Sequence, residues 1–475
     1  MLLRNHSQRS RSLGNGSRPT GRLPRRRPVR GSAAGPVAVL ALVLAAALPL
    51  AACGSRLPER DFGVGPTTGP AAPAAAAPVT VGIITSVTSP LGVNEFSGPL
   101  YGAQAFFRAL DAAGGLDGHQ VHVITCDDSG DGGDNQTCVH QLVDQDQVVA
   151  LVAGSELDYA GAPYVAAQHV PDIGGQPIST AYDQYPYLYQ IYGSSEPRNG
   201  SSVGWNGTEY QTTEVYQYFR QKLGLRRATV VSYNQVDSTR YAAELVQGLK
   251  AEGYQVMSQT VDFELPDFAA VAADMKSQGT QLLMDALDTP GNIALCQAMA
   301  ADGVTVAAKV TNDQNWSEQV RQDYAAVPGC RNVLWVTSDS RNYEDVQYPA
   351  VAAFRAAMQR YYPGRAALMS QWELEGWAAA QWFTDAARSC GAGQVDRACV
   401  NAFMERPQPY DADGLLIPTG FTAKPPPTGE QRACLDVARW EDSATFPGGV
   451  RGGWVTQVPN MDTNCFEVPA LPFRP

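Results

Sequence analysis

From residue 79 onward, short unbroken apolar runs alternate with stretches in which apolar residues return every three or four positions. The run VTVGII at 79–84 is β-branched and continuous, which predicts a buried strand ending in the polar loop 85–92. A helix is predicted over 97–112, because Leu100, Ala103, Phe107 and Leu110 fall close to one face and Gly114-Gly115 ends the pattern. Strands at 121–126 and 148–152 and helices at 134–145 and 160–169 continue the alternation. The rhythm restarts after Gly193, with helices predicted at 205–223, 239–251, 268–277 and 291–301 and strands at 228–233, 255–261 and 281–285. Strands apolar on both faces, alternating with amphipathic helices, imply an α/β fold whose parallel sheets are covered on both sides. Two such runs suggest two similar lobes, although no residue-level repeat joins them. Ligands in such sheets bind outside the carboxyl ends of the strands.

The N-terminal segment follows another pattern. Residues 1–31 hold nine arginines and no acid, and an apolar run at 37–48 follows. A basic region ahead of a short apolar core is the pattern of an export signal, too short for a comfortable membrane span. The run ends in Leu50-Ala51-Ala52-Cys53-Gly54, which resembles the bacterial lipobox. That resemblance implies cleavage before Cys53, lipidation of its sulfur, and a membrane-anchored protein working outside the cytoplasm. Residues 1–53 therefore read as signal and 54–78, rich in Ala, Pro, Gly and Thr, as a flexible tether.

About 400 residues remain, enough for two domains. Without the signal arginines the balance is 26 basic against 47 acidic residues, a net charge of −21. Such a surface argues against nucleic acid and anionic lipid headgroups as partners. Apart from Cys53 there are eight cysteines, an even number suited to an oxidising compartment. They allow 105 connectivities, among which sequence proximity favours Cys126–Cys138, Cys296–Cys330, Cys390–Cys399 and Cys434–Cys465. No Cys-x-x-Cys and no nearby His supports a zinc site, so no metal or other cofactor is expected.

The stretches VGIITSVTSPLG, DAAGGLDGHQVHVITCDD and NQTCVHQLVDQDQVVALVAG, with LMDALDTPGNIALCQAMAADG and ELEGWAAAQWFTDAA later, resemble in order the branched-chain amino acid type of periplasmic binding protein. The resemblance implies the type I fold: two doubly wound parallel-sheet lobes joined by a three-strand hinge. Crossings near Tyr192, Ser338 and Asp413 would divide the chain into 79–192 plus 339–413 and 193–338 plus 414–475. It also implies a monomer that binds a small molecule between the lobes and delivers it to the permease subunits of an ABC transporter.

In amino-acid-binding relatives the ligand carboxylate meets hydroxyls and N–H groups of lobe one, and the ammonium a carboxylate and an aromatic of lobe two. The positions this implies are Ser89, Glu156, Asp158, Tyr159 and Gln176 on lobe one and Tyr233, Asp285, Asp288, Asn312 and Asp313 on lobe two. Glu156, Asp158 and Tyr159 stand where the family usually offers a Ser or Thr. An acid there suits a cation, polyol or amide better than an ordinary α-amino acid. Turn and cap roles compete for each of these residues.

Enzyme signatures are sparse. Gly200-Ser201-Ser202-Val203-Gly204 fits a nucleophile-elbow pattern but lacks the apolar strand that must precede it. The acidic turn 127–134 lacks the terminal Glu of a calcium loop. No residue is assigned a catalytic role. A sensory module of the same fold and an exported α/β hydrolase stand as the alternative readings, and the sequence does not separate sensor from importer.

Overall fold

A computed structural model describes residues 77–474 apart from 90, 94, 95, 177 and 392–394. The predicted signal, Cys53 and the tether up to residue 76 lie outside the described residues. Five strands, β1 (Val79–Thr85), β2 (Val121–Asp127), β3 (Ala150–Val152), β4 (Asp172–Ile173) and β5 (Leu188–Tyr189), form a parallel sheet in the order β2-β1-β3-β4-β5. A second sheet runs β7-β6-β8-β9-β10-β11-β12, from β6 (Arg227–Tyr233), β7 (Gln255–Val261), β8 (Leu282–Ala286), β9 (Ala308–Val310), β10 (Leu334–Ser338), β11 (Asp436–Thr445) and β12 (Arg451–Thr456). Its first five strands are parallel, and β11 and β12 add antiparallel at one edge.

The covering helices used below are α1 (Gly98–Ala112), α2 (Gly132–His140), α3 (Glu214–Lys222), α4 (Val236–Ala251), α5 (Phe268–Gln278), α6 (Thr289–Asp302), α7 (Pro349–Tyr361), α8 (Gln371–Ser389) and α9 (Arg397–Met404). Helix α8 opens with a capping box, in which Ser370 accepts the N–H of Glu373 and Glu373 accepts that of Ser370. It is buried on nearly every side, Glu373 and Glu375 included, and it packs against α1, α7 and α9. Trp372, Trp377 and Trp382 are all buried along it. Two carboxyl groups inside such a helix must find hydrogen-bond partners or lose their charge.

Three chain segments run side by side between the sheets. Ser194 donates its N–H to the Gly420 carbonyl at 3.0 Å, Arg341 to Leu415 at 2.8 Å and Ile417 to Asp339 at 2.8 Å. The disulfides join Cys126–Cys138, Cys296–Cys330, Cys390–Cys399 and Cys434–Cys465, the pairings that sequence proximity favours.

Two expectations about elements are corrected. The helix expected over 205–223 is confined to α3, and Glu209–Gln211 ahead of it pairs as a strand with Leu471–Phe473. Gly204, Asn206 and Gly207 all have positive φ, which no helix tolerates in succession. The helix expected over 134–145 begins at Gly132, where Asp131 caps it, and passes into a π-helical turn at Gln141–Gln145.

Candidate functional site

The loops at the carboxyl ends of the strands carry the residues singled out from the sequence, but they meet different fates. Ser89 turns back on its own hairpin, donating to the Gly92 carbonyl at 3.1 Å. Glu156 and Tyr159 point inward. The Tyr159 hydroxyl donates to Asp172 at 2.5 Å, and Tyr182 lies 3.1 Å from Asp172 and 3.4 Å from Glu156. Asp158 is exposed. On the second sheet, Tyr233 donates to Asp288 at 2.8 Å, and Asp288 caps α6 by accepting the Gly291 N–H at 2.8 Å. Asp285 forms a fully buried ion pair with Lys309, which also donates to Asn292. Asn312 donates to the Leu287 carbonyl at 3.0 Å.

Gln176 and Asp313 are the pair that joins the two sheets. The Gln176 amide donates to Asp313 at 3.2 Å, and also to Glu375. The Tyr192 hydroxyl lies 3.1 Å from Asp313 Oδ2 and 3.0 Å from Glu375 Oε1, so both donors are shared between two carboxyl groups. Ser340 donates to Glu375 at 2.5 Å and is itself held by Gln371 at 2.7 Å. By sequence Tyr192 and Ser338 stand only as chain crossings, and Glu375 only as part of the stretch ELEGWAAAQWFTDAA, with no site role. An acid inside the otherwise apolar stretch 374–380 is the signal that finds it, because such a position demands a buried partner.

The electrostatics follow from burial. Burial, and then the Asp313 charge, hold Glu375 well above the usual carboxylate range, and burial also raises Asp313. Behind the first sheet, burial and then the Asp172 and Asp128 charges do the same to Glu156, while burial pushes Asp172 up to about 6. Glu373, Asp339 and Asp436 are each pushed up to about 7, again chiefly by burial. These groups keep their protons in the folded state at pH values where the unfolded chain has released them. The folded state therefore binds more protons between roughly pH 5 and pH 8, and stability falls as pH rises through that window. The melting temperature is expected to drop by roughly 5 °C from pH 5.5 to pH 8. Calorimetry at the two pH values measures this, and a flat or rising value refutes a protonated interior.

Residues 78–445 match a family model described as periplasmic binding protein. Among solved structures, the branched-chain amino acid transporter substrate-binding protein of Streptococcus pneumoniae in complex with isoleucine is 16% identical, with a TM-score of 0.58 over 80% of this chain and 99% of its own. A solute-binding protein of an ABC transporter from R. palustris in complex with benzoate is 14% identical, with a TM-score of 0.58 over 83% and 97%. A fatty acid ABC transporter substrate-binding protein from Thermomonospora curvata is 17% identical, with a TM-score of 0.58 over 82% and 92%. At these identities the similarity shows a shared fold. No curated protein matches by sequence.

Proposed function

Because the chain belongs to the periplasmic binding protein family, we propose that it is an extracytoplasmic solute-binding lipoprotein that captures a small polar molecule and delivers it to an ABC importer. In this reading the lobes are 79–192 with 339–413 and 193–338 with 414–475, closing on the solute by a hinge motion, and the Cys53 lipid holds the protein at the membrane. The observation that carries the proposal is the junction of Gln176, Tyr192, Asp313 and Glu375. There, polar side chains from both sheets and from the crossing segment converge, although nothing in the fold itself requires buried carboxyl groups at that point.

The solutes named for the three relatives are carboxylic acids. This junction already presents two carboxyl groups, so a solute that arrives there must offer donors or positive charge. An amino acid could do so through its ammonium; an amine, amide or polyol could do so throughout.

The test is a thermal-shift panel of amino acids, amines, amides, sugars and small acids, run after partial unfolding has stripped bound ligand. A true solute at a hundred times its Kd adds about 2.7 kcal/mol of apparent stability. Asp313→Asn is expected to weaken the hit at least tenfold, with little change in the melting temperature without ligand. A panel in which no class stabilises the well-folded protein overturns the proposal.

A further inference from the structure

Beside the hinge junction a separate cavity of about 360 Å³ opens at the carboxyl ends of β8, β9 and β10, between those strands and helices α3 and α4. Glu244, Asp285, Asp313 and Asp339 all line it, together with the rings of Tyr192, Tyr216 and Tyr241. Two cations stand near these acids, and both are engaged. Lys309 is bound to Asp285 and Asn292, and Arg240 reaches Glu209 at 2.5 Å and Glu244 at 3.5 Å. Among the described residues nothing donates a hydrogen bond to the Asp339 carboxyl, which burial and the nearby Glu214 charge push up to about 7.

Two further groups are left without partners. Tyr216 is only 6% exposed, and its ring occupies the space where a Cβ on Gly248 would lie, 2.0 Å from the nearest ring carbon. Its hydroxyl makes no hydrogen bond among the described residues, and the charges of Glu214 and Glu244 act on it. Asp285 is 2% exposed, and its Oδ1 is buried with no partner. A bare hydroxyl and an unpaired carboxylate oxygen on residues that line a cavity are groups that a ligand donor would satisfy.

We propose that this cavity takes a protonated aliphatic amine, so that the solute of this protein is a cationic amine and not a carboxylate-bearing amino acid. The inference rests on the solute-binding reading above. Burial holds Glu244, Asp313 and Asp339 above the usual carboxylate range, and an ammonium group among them favours their charged forms, so that its three N–H donors meet carboxylate oxygens that would repel an acid. Tyrosine faces add cation–π attraction for a partly desolvated cation. Among the described residues no three acidic, His or Cys side chains converge closely enough to hold a metal ion, which leaves an organic cation as the better fit. The volume suits a chain of a few carbons. Because Asp313 and Tyr192 wall both the cavity and the junction, one ammonium group in each is compatible with a diamine.

The experiment is isothermal titration of the full chain, extracted in detergent, with 1,4-diaminobutane and spermidine. Isoleucine and 1,4-butanediol serve as the acidic and uncharged controls. The amines are expected to bind and the controls not to. Asp339→Asn should weaken amine binding at least tenfold and Tyr216→Phe about threefold, with unliganded melting temperatures close to that of the parent. Asp339→Asn removes a carboxyl that burial already disfavours, so its folding is not at risk.

If the amines bind but neither substitution changes the affinity, the cavity is not their site and the inference falls. If isoleucine or another non-cationic solute binds in their place, the inference falls while the solute-binding reading stands. If no class of compound binds, both fall.

Discussion

Replacing Lys309 with methionine is expected to destabilise the folded chain by about 3–5 kcal/mol, because it strands a buried charge. Lys309 sits on β9 with no exposed surface, and its ammonium is shared between Asp285 on β8 and Asn292 on α6. Without it, Asp285 loses its ion-pair partner and Asn292 a donor, while Asp285 Oδ1 already lacks a partner among the described residues. The deficit should be larger at pH 8 than at pH 5.5, since the abandoned carboxyl can escape at low pH by taking a proton. Replacing both members, Asp285→Leu with Lys309→Met, should recover most of the loss, because a well-packed apolar pair avoids the desolvation penalty altogether. Urea denaturation of the single and double variants measures all three points. A single variant within 1 kcal/mol of the parent would show that the pair is hydrated and not sealed.

A comparable effect is expected where α1 crosses α8. A Cβ on Gly102 would fall 1.7 Å from the Glu373 carbonyl oxygen, and one on Gly376 would fall 2.0 Å from that of Pro99. The two helices therefore touch backbone to backbone, and neither partner is a side chain that can rotate away. Gly102→Ala is expected to cost about 3 kcal/mol, at the upper end for overpacking. It should also weaken solute binding, because α8 carries Glu375 into the hinge junction and has to slide to relieve the clash. Gly329→Ala is the control: a Cβ there meets nothing within 4 Å. Denaturation midpoints and titration of the identified solute distinguish the outcomes. An unaltered Gly102→Ala protein would mean that the helices stand further apart than described.

The sequence carried different parts of this picture with different clarity. The strands β6, β7 and β8 lie within a residue of their predicted bounds, because each begins two or three residues after the glycine (Gly224, Gly253 or Gly279) that closes the helix before it. The strands from residue 430 onward were not anticipated. They lie next to proline-rich chain and mix buried with exposed stretches without a clean alternation, and β11 forms against the edge that β10 offers. Local pattern also extends a helix back to residue 205, across Asn206 and Gly207, whose positive φ shows only in the folded backbone.

For the site, local chemistry located the loops but not the roles within them. Asp288 stands at a strand end and before a helix, and the helix cap claimed it. Glu156 and Tyr159 stand in the loop after β3, and the interior claimed them, since Asp172 and Tyr182 were there to receive their polar atoms. Asp285 was claimed by a lysine on the neighbouring strand. None of these outcomes is written in the residue or its neighbours, because each depends on which partner lies within about 3 Å once the chain has folded.

By itself, then, the sequence determined the α/β alternation, the family resemblance and the disulfide pairs favoured by proximity. These rest on short-range periodicity, ordered motifs and small loops. The tertiary structure alone decided the geometry of the candidate site. Gln176 and Glu375 are 199 residues apart in the chain, and Tyr192 and Asp313 are 121 apart, yet all four share hydrogen bonds at the hinge. Packing of α8 against α1 brings Glu375 there, and the side-by-side crossing segments bring Tyr192. Contacts at such separations are set by how whole elements stack, a quantity that no local pattern encodes.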